Sequence, residues 1–252
     1  MAFLGLLAAL GSCNKDVEVD NTTPPVEGAN FKLELLASRK LTVREPSGLS
    51  WDLKKKNFIT VSDNTNKAYV IDTSGNTLGE LDYKGDDTEG VTVDTENKHY
   101  WIAEEGKSDL VECDSTGNEL GRYHLELNVS SHNKGLEGLS YDPASKTFFV
   151  LNEDKPGLLI KWTVSKGIIS KKQLNFAGDY SGIFYDGQLD KLWIVSDQSQ
   201  KLFLCDLDAN PEQEFTLGYG KAEGVTVDVA GRRAYIVSDS EETLFIYKLS
   251  KL

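Results

Sequence analysis

Cysteine and histidine are scarce in this chain, three of each in 252 residues, and the scarcity removes several chemistries. Cys13, Cys113 and Cys205 form no C-x-x-C pair, and His99, His124 and His132 share no metal-ligand spacing. Neither H-E-x-x-H nor G-x-S-x-G occurs, which excludes a zinc-protease helix and a nucleophile elbow. Long apolar runs are missing too: only Met1 to Leu10 is continuously uncharged and apolar, and that is too short to span a bilayer. Basic residues are outnumbered, 27 Lys and Arg against 40 Asp and Glu, for a net charge of −13. Such a balance argues against nucleic acid and anionic membrane surfaces as partners, and permits cation binding without requiring it. What remains, 39% hydrophobic and 10% aromatic residues with 27% charged, is ample for one well-buried domain.

The apolar start has the length of a signal-peptide core. It ends in Leu10-Gly11-Ser12-Cys13, which resembles the bacterial lipobox, where the cysteine is lipidated and becomes the first mature residue. No lysine or arginine precedes the run. Asn14 to Pro25 is polar, contains proline and has no hydrophobic period, so it reads as a flexible tether. Its acidic cluster, Asp16-Val17-Glu18-Val19-Asp20, resembles the surface-export signal of Bacteroidetes lipoproteins. The expected organisation is a signal peptide over 1–12, a tether over 13–30 and a folded domain over 31–252.

Within that domain one stretch recurs. Thr88-Glu89-Gly90-Val91-Thr92-Val93-Asp94 is echoed from Ser47, Glu137, Ser181 and Glu223, at steps of 42, 48, 44 and 42 residues. A period near this length marks a four-stranded propeller blade. The repeat from Glu89 reads as four short strands, A to D from inside to outside, separated by Gly, Asn, Asp and Ser clusters. The B strands, such as Leu192-Trp193-Ile194-Val195 and Ala234-Tyr235-Ile236-Val237, are continuously apolar, as in sheets covered on both faces. From Glu223 only 29 residues remain, enough for strands A, B and C. Phe31 to Arg44 is strand-like and unassigned. The expectation is an all-β, five-bladed propeller of four-stranded antiparallel blades, with the N-terminal strand completing the last blade and removing an open edge. Cys113 and Cys205 then fall in blades two and four, too far apart for a disulfide, and read as small core hydrophobes. Trp51, Trp101, Trp162 and Trp193 read as core as well.

Pro46-Ser47-Gly48-Leu49-Ser50, Asp87-Thr88-Glu89-Gly90-Val91 and the Val-Ser-Asp ends of the B strands resemble the SdiA-regulated family of bacterial propellers, over roughly residues 32 to 250. The resemblance implies five blades, a distant relation to NHL-repeat propellers and a calcium site; it implies no activity.

Acidic positions are the sharpest chemical feature. Strand A starts with Ser47, Glu89, Glu137, Ser181 and Glu223, and strand B ends with Asp63, Glu105, Glu153, Asp197 and Asp239. A and B are joined by a hairpin, so the start of one and the end of the other share a rim. That places eight carboxylates at one mouth of the channel, with Glu89, Glu137 and Glu223 nearest the axis. Like charges so clustered are unfavourable unless protonated or bound to a cation, and calcium suits a flexible site of oxygen ligands. The glycine after each of the three starting glutamates reads as relief of backbone crowding or as the source of an unusual torsion. Inserted residues 128–134, with His132, are a rim loop.

Three functions are compatible with these residues. The first is a calcium-binding propeller lipoprotein of the outer membrane, periplasmic or surface-exposed, binding an unidentified protein or small ligand at the channel rim, with a monomer expected. The second is a calcium-dependent lactonase or phosphoesterase with the metal as Lewis acid and a carboxylate or His132 as base. The third is a structural propeller in an envelope complex. The lipobox is tested by feeding expressing cells a clickable fatty acid: label appears on the wild type and is lost from Cys13→Ala, and equal labelling of both rules the anchor out.

Overall fold

Each repeat folds as the period requires because its turns are chemically specified. The motif's last residue, aspartate in every repeat, accepts backbone N–H bonds from the turn that follows. Asp52 takes Lys56 N at 2.9 Å, Asp94 takes Glu96 N at 2.9 Å, Asp142 takes Ala144 N at 2.9 Å, Asp186 takes Gln188 N at 2.9 Å and Asp228 takes Gly231 N at 2.7 Å. These aspartates are turn anchors.

The computed structural model describes residues 30–127, 135–153, 156–228 and 230–252. Cys13, the tether and His132 lie outside them. Twenty strands form five four-stranded antiparallel sheets. Blade one holds β2 (Pro46–Trp51), β3 (Phe58–Ser62), β4 (Lys67–Ile71) and β5 (Thr77–Lys84). Blade two holds β6 (Thr88–Asp94), β7 (His99–Glu104), β8 (Asp109–Cys113) and β9 (Glu119–His124). Blade three holds β10 (Leu136–Asp142), β11 (Thr147–Asn152), β12 (Leu158–Thr163) and β13 (Gly167–Gln173). Blade four holds β14 (Gly182–Asp186), β15 (Lys191–Ser196), β16 (Lys201–Cys205) and β17 (Pro211–Thr216). Blade five holds β18 (Ala222–Asp228), β19 (Arg233–Ser238) and β20 (Thr243–Lys251), and β1 (Phe31–Lys40) is its outer strand.

The expected closure is therefore present. Strand β1 runs antiparallel to β20, from Phe31 opposite Lys251 to Lys40 opposite Thr243. It is shorter than the 31–44 stretch read from the sequence. Leu41 and Val43 follow it as buried residues in the seam between blades five and one. The outer strand of blade two likewise stops at His124, and Leu125 is buried beyond it.

Five hydrophobic clusters fill the molecule, one at each blade-to-blade interface. Trp101, Phe148 and Trp162 meet between blades two and three; Trp193, Leu204 and Val225 meet between four and five. Cys113 and Cys205 are free and buried in separate clusters, as expected. Trp101, Trp162 and Trp193 are core residues, but Trp51 is only partly covered and looks into the channel.

At the axis, β2, β6, β10, β14 and β18 approach so closely that only glycine fits. A Cβ on Gly90 would lie 2.2 Å from Glu137 O, one on Gly182 2.2 Å from Glu223 O, and one on Gly224 2.3 Å from Ser47 O. Gly48 and Gly138 face blades two and four in the same way. Of the two roles expected, crowding relief is the one these glycines serve, as a ring of backbone contacts, and none of the five has a positive φ. Two tests follow from the architecture. Gly90→Ala costs about 2 kcal/mol or more by overpacking and lowers Tm by roughly 4–8 °C, whereas Gly79→Ala, with open space around it, leaves Tm unchanged in the same melts. Deleting residues 31–43 exposes the edge of β20 and gives a lower Tm or aggregation by light scattering, and deleting residues 14–25 does neither.

Candidate metal centre

The inner strands of four blades, all but blade four, begin with a local irregularity that sets the site. Ladder pairing slips between Thr88 and Gly90, between Leu136 and Leu139, between Ala222 and Gly224, and between Pro46 and Leu49. The extra residue is left out of the regular pairing: Glu89 in blade two, Glu223 in blade five. A bulge of this kind re-aims a side chain, here toward the axis. Strand B ends one residue before each predicted acid, so Asp63, Glu105, Glu153, Asp197 and Asp239 lead the following turns.

These groups meet as the hairpin argument required. A small cavity of about 100 Å³ is lined by Ser47, Glu89, Glu137, Ser181 and Glu223 from the inner strands, and by Asp63, Glu153, Asp197 and Asp239. Glu105 is buried just behind, where its Oε1 accepts Gly135 N at 2.9 Å. Sequence reading missed Glu45, Asp87, Asp179 and Lys221. Glu45, Asp179 and Lys221 also line the cavity, and all four stand two residues before the Ser or Glu read as the start of strand A. Glu45, Asp87 and Lys221 hold positive φ values of 42°, 57° and 57°.

The mouth is electrostatically lopsided. Among the described residues lining it, Lys221 is the one cation, with Nζ 3.7 Å from both Asp197 Oδ2 and Glu223 Oε1. Ser47 Oγ donates to Glu89 Oε2 at 2.5 Å across the seam between blades one and two. Asp179 accepts Ser196 Oγ at 2.5 Å and Gln198 N at 3.1 Å. On the side of blades two and three, acids crowd together. Carboxylate oxygens of Glu105, Glu137 and Glu153 all lie within 4.8 Å of one another, as do those of Asp87, Glu89 and Glu105. Two oxygens on opposite sides of one calcium sit about 5 Å apart, so both spacings fit a single ion. Asp63 Oδ1 is buried with no hydrogen-bond partner.

The protons report the same strain. Burial, then Asp239 and Glu45, pushes Asp63 up to about 6. Burial raises Glu105 to about 7, opposed by its bond from Gly135 and aided by Asp87. Glu223 rises to about 7 through burial, with Lys221 opposing. Glu89 and Glu137 are pushed well above the usual carboxylate range, first by burial and then by neighbouring acids. Without a cation, such a mouth holds protons near neutrality.

Among the described residues, no histidine lines this mouth. His99 pairs with Glu112 at 2.7 Å and His124 with Asp109 at 3.0 Å, and neither lines the cavity. Glu104, beside Glu105 in sequence, belongs to a different network. It is fully buried, accepting Tyr83 Oη at 2.6 Å and Arg122 Nη1 at 2.5 Å.

Comparison with known proteins agrees with the architecture. No curated protein sequence matches the chain. Among solved structures, a streptogramin B lyase is similar with a TM-score of 0.51 at 16% identity, over 88% of this chain and 74% of that one. A gluconolactonase from Xanthomonas campestris is similar with a TM-score of 0.58 at 14% identity, over 87% and 90%. At these identities the likeness is one of fold. A family profile described as SdiA-regulated matches residues 28–249, nearly all of the propeller and its closing strand. With its five blades closed by the N-terminal strand, the chain belongs to the SdiA-regulated family.

Proposed function

We propose that this propeller is a calcium-binding, non-catalytic recognition module, carried on a lipid anchor at Cys13 of an outer-membrane lipoprotein. The observation that carries the metal is the cluster Glu105, Glu137 and Glu153, whose oxygens fall within 4.8 Å of each other in a buried mouth. Glu89 and Asp87 extend it, and the unpartnered Asp63 Oδ1 offers a further hard oxygen. Glu223, Asp197 and Asp239 sit on the Lys221 side, where an ammonium already offsets charge. The ion therefore belongs between blades two and three, off the axis. Bound there, calcium neutralises carboxylates that burial otherwise drives to protonation. The cavity, about 100 Å³, has room for an ion and a few waters, since a water takes about 30 Å³. Organic ligands occupy sites of about 300–1,000 Å³. That disparity favours a stabilising ion over a catalytic one.

A hydrolase reading is kept alive by one finding, the fold shared with a gluconolactonase. In it, calcium would polarise a carbonyl and a mouth carboxylate would serve as base. Calcium-dependent opening of gluconolactone by the purified protein would establish it.

Thermal melts test the metal. At pH 8, calcium at a hundredfold excess over Kd adds about 2.7 kcal/mol, or roughly 5–11 °C in Tm. Magnesium restores less, because it demands tighter octahedral geometry. Glu105→Gln removes the calcium response, while Glu223→Gln, beside Lys221, keeps most of it. Acids raised in the folded state contribute stability at low pH that is lost as pH rises through about 6 to 7. Metal-free protein is accordingly more stable at pH 5 than at pH 8, and the calcium increment shrinks on acidification. A calcium response unchanged in Glu105→Gln refutes the assignment.

A further inference from the structure

We propose that the opposite mouth of the channel is a binding site for a neutral, polyhydroxylated ring, a mono- or disaccharide. This rests on the recognition-module reading and supplies its ligand site and class. The mouth opens as a funnel of about 630 Å³, within the range of small-molecule sites. Its floor is the glycine ring, where Leu49, Val91, Leu139, Ile183 and Val225 close the axis and leave no room for a water. The funnel is thus sealed from the acids, and a ligand in it never meets the metal centre.

Its shape comes from broken fivefold symmetry. At one register position of the inner strands the residues are Trp51, Val93, Tyr141, Tyr185 and Val227. Aromatics from blades one, three and four form walls, and the valines of blades two and five leave room between them. The walls are held in place before any ligand arrives. Trp51 packs on Phe58 at 4.6 Å and Tyr235 at 5.6 Å between ring centres. Tyr185 stacks on Phe149 at 5.5 Å, its Oη donates to Asp190 Oδ1 at 3.2 Å, and its N–H donates to Ser140 Oγ at 2.8 Å. Rigid, amphipathic rings of this kind give contact area at low entropic cost.

Polar groups between the walls narrow the class. Ser50, Thr92 and Gln188 line the funnel and offer donors and acceptors together. An apolar ligand would strip their water without replacing its bonds. The carboxylates beside them are not spare charges, because Asp186 is taken by Gln188 N, Leu189 N and Trp193 Nε1, and Asp142 by Ala144 N. Asp228, the third carboxylate of the lining, accepts Gly231 N at 2.7 Å, and Lys55 is the one cation among the described lining residues, so the cationic control reads what charge remains. Flat aromatic faces with neutral donors and acceptors between them match a ring that is apolar on its faces and hydroxylated at its edge.

Tryptophan fluorescence reads the site directly. Trp101, Trp162 and Trp193 are only 2%, 4% and 0% exposed, so Trp51 is the reporter. The full chain is titrated with glucose, galactose, mannose, N-acetylglucosamine, maltose and cellobiose, with choline and cyclohexanol as the cationic and apolar controls. At least one sugar is expected to shift the emission saturably, and both controls to bind about tenfold more weakly or not at all. Trp51→Phe removes the optical signal. Phe184→Leu, which keeps bulk and is checked by its Tm, weakens binding about tenfold in saturation-transfer NMR. No saturable shift with any of the six sugars, or equal binding of cyclohexanol or choline, overturns the proposal. Repeating the titration in chelator and with Glu105→Gln separates the two ideas. Sugar binding without any calcium response leaves the funnel standing and removes the metal, and the reverse result removes the funnel alone.

Discussion

Backbone touches backbone at the centre of this molecule. Gly48, Gly90, Gly138, Gly182 and Gly224 bring each inner strand against the carbonyl or amide of the next, around a closed circle. Side chains cannot occupy that space, so the hydrophobic residues of each sheet are displaced outward into the five seams between blades. The same contact fixes where the preceding residue goes. With the strand bulged just before the glycine, Glu89 and Glu223 are released from the ladder and swing toward the axis. The acidic mouth is a by-product of how tightly the strands converge.

That mouth is held together by unequal means. On the side of blade five, an ammonium, Lys221, stands between Asp197 and Glu223. Next to blade one, a hydroxyl donates to Glu89. Toward blades two and three, buried carboxylates face one another, and protons are retained to nearly neutral pH at Glu105. A fivefold scaffold has thus been filled with a one-sided charge pattern. Among the described residues, both sets of three carboxylates with oxygens within 4.8 Å of one another lie on the side of blades two and three.

Much of this was legible in the sequence because it repeats. The period, the glycines, the predicted acids and the missing outer strand of blade five all follow from registering five copies of one motif. What escaped was whatever differs between copies. Glu45, Asp87, Gly135, Asp179 and Lys221 share one position but not one chemistry, so no pattern advertises it. Trp51 was read as core because large aromatics usually are, yet Val93 and Val227 at the equivalent places open a space beside it. Glu104 and Glu105 are adjacent and alike in sequence. Only the fold reveals that Arg122 of the same sheet and Tyr83 of blade one satisfy the first, while the second turns toward Glu137 and Glu153.

The closing strand also orients the disc. Strands alternate in direction across a blade, and the inner ones run from the acids toward the funnel. With Phe31 opposite Lys251, β1 begins, and β20 finishes, on the funnel side. Leu252 N still bonds Asn30 O there at 2.8 Å. Anything joined ahead of Phe31 or behind Leu252 therefore departs from that face. A support coupled directly at Asn30 or Leu252, with no flexible tether between, meets the funnel face and leaves the acidic mouth to bulk water. Attachment chemistry thus decides which opening diffusing molecules meet first.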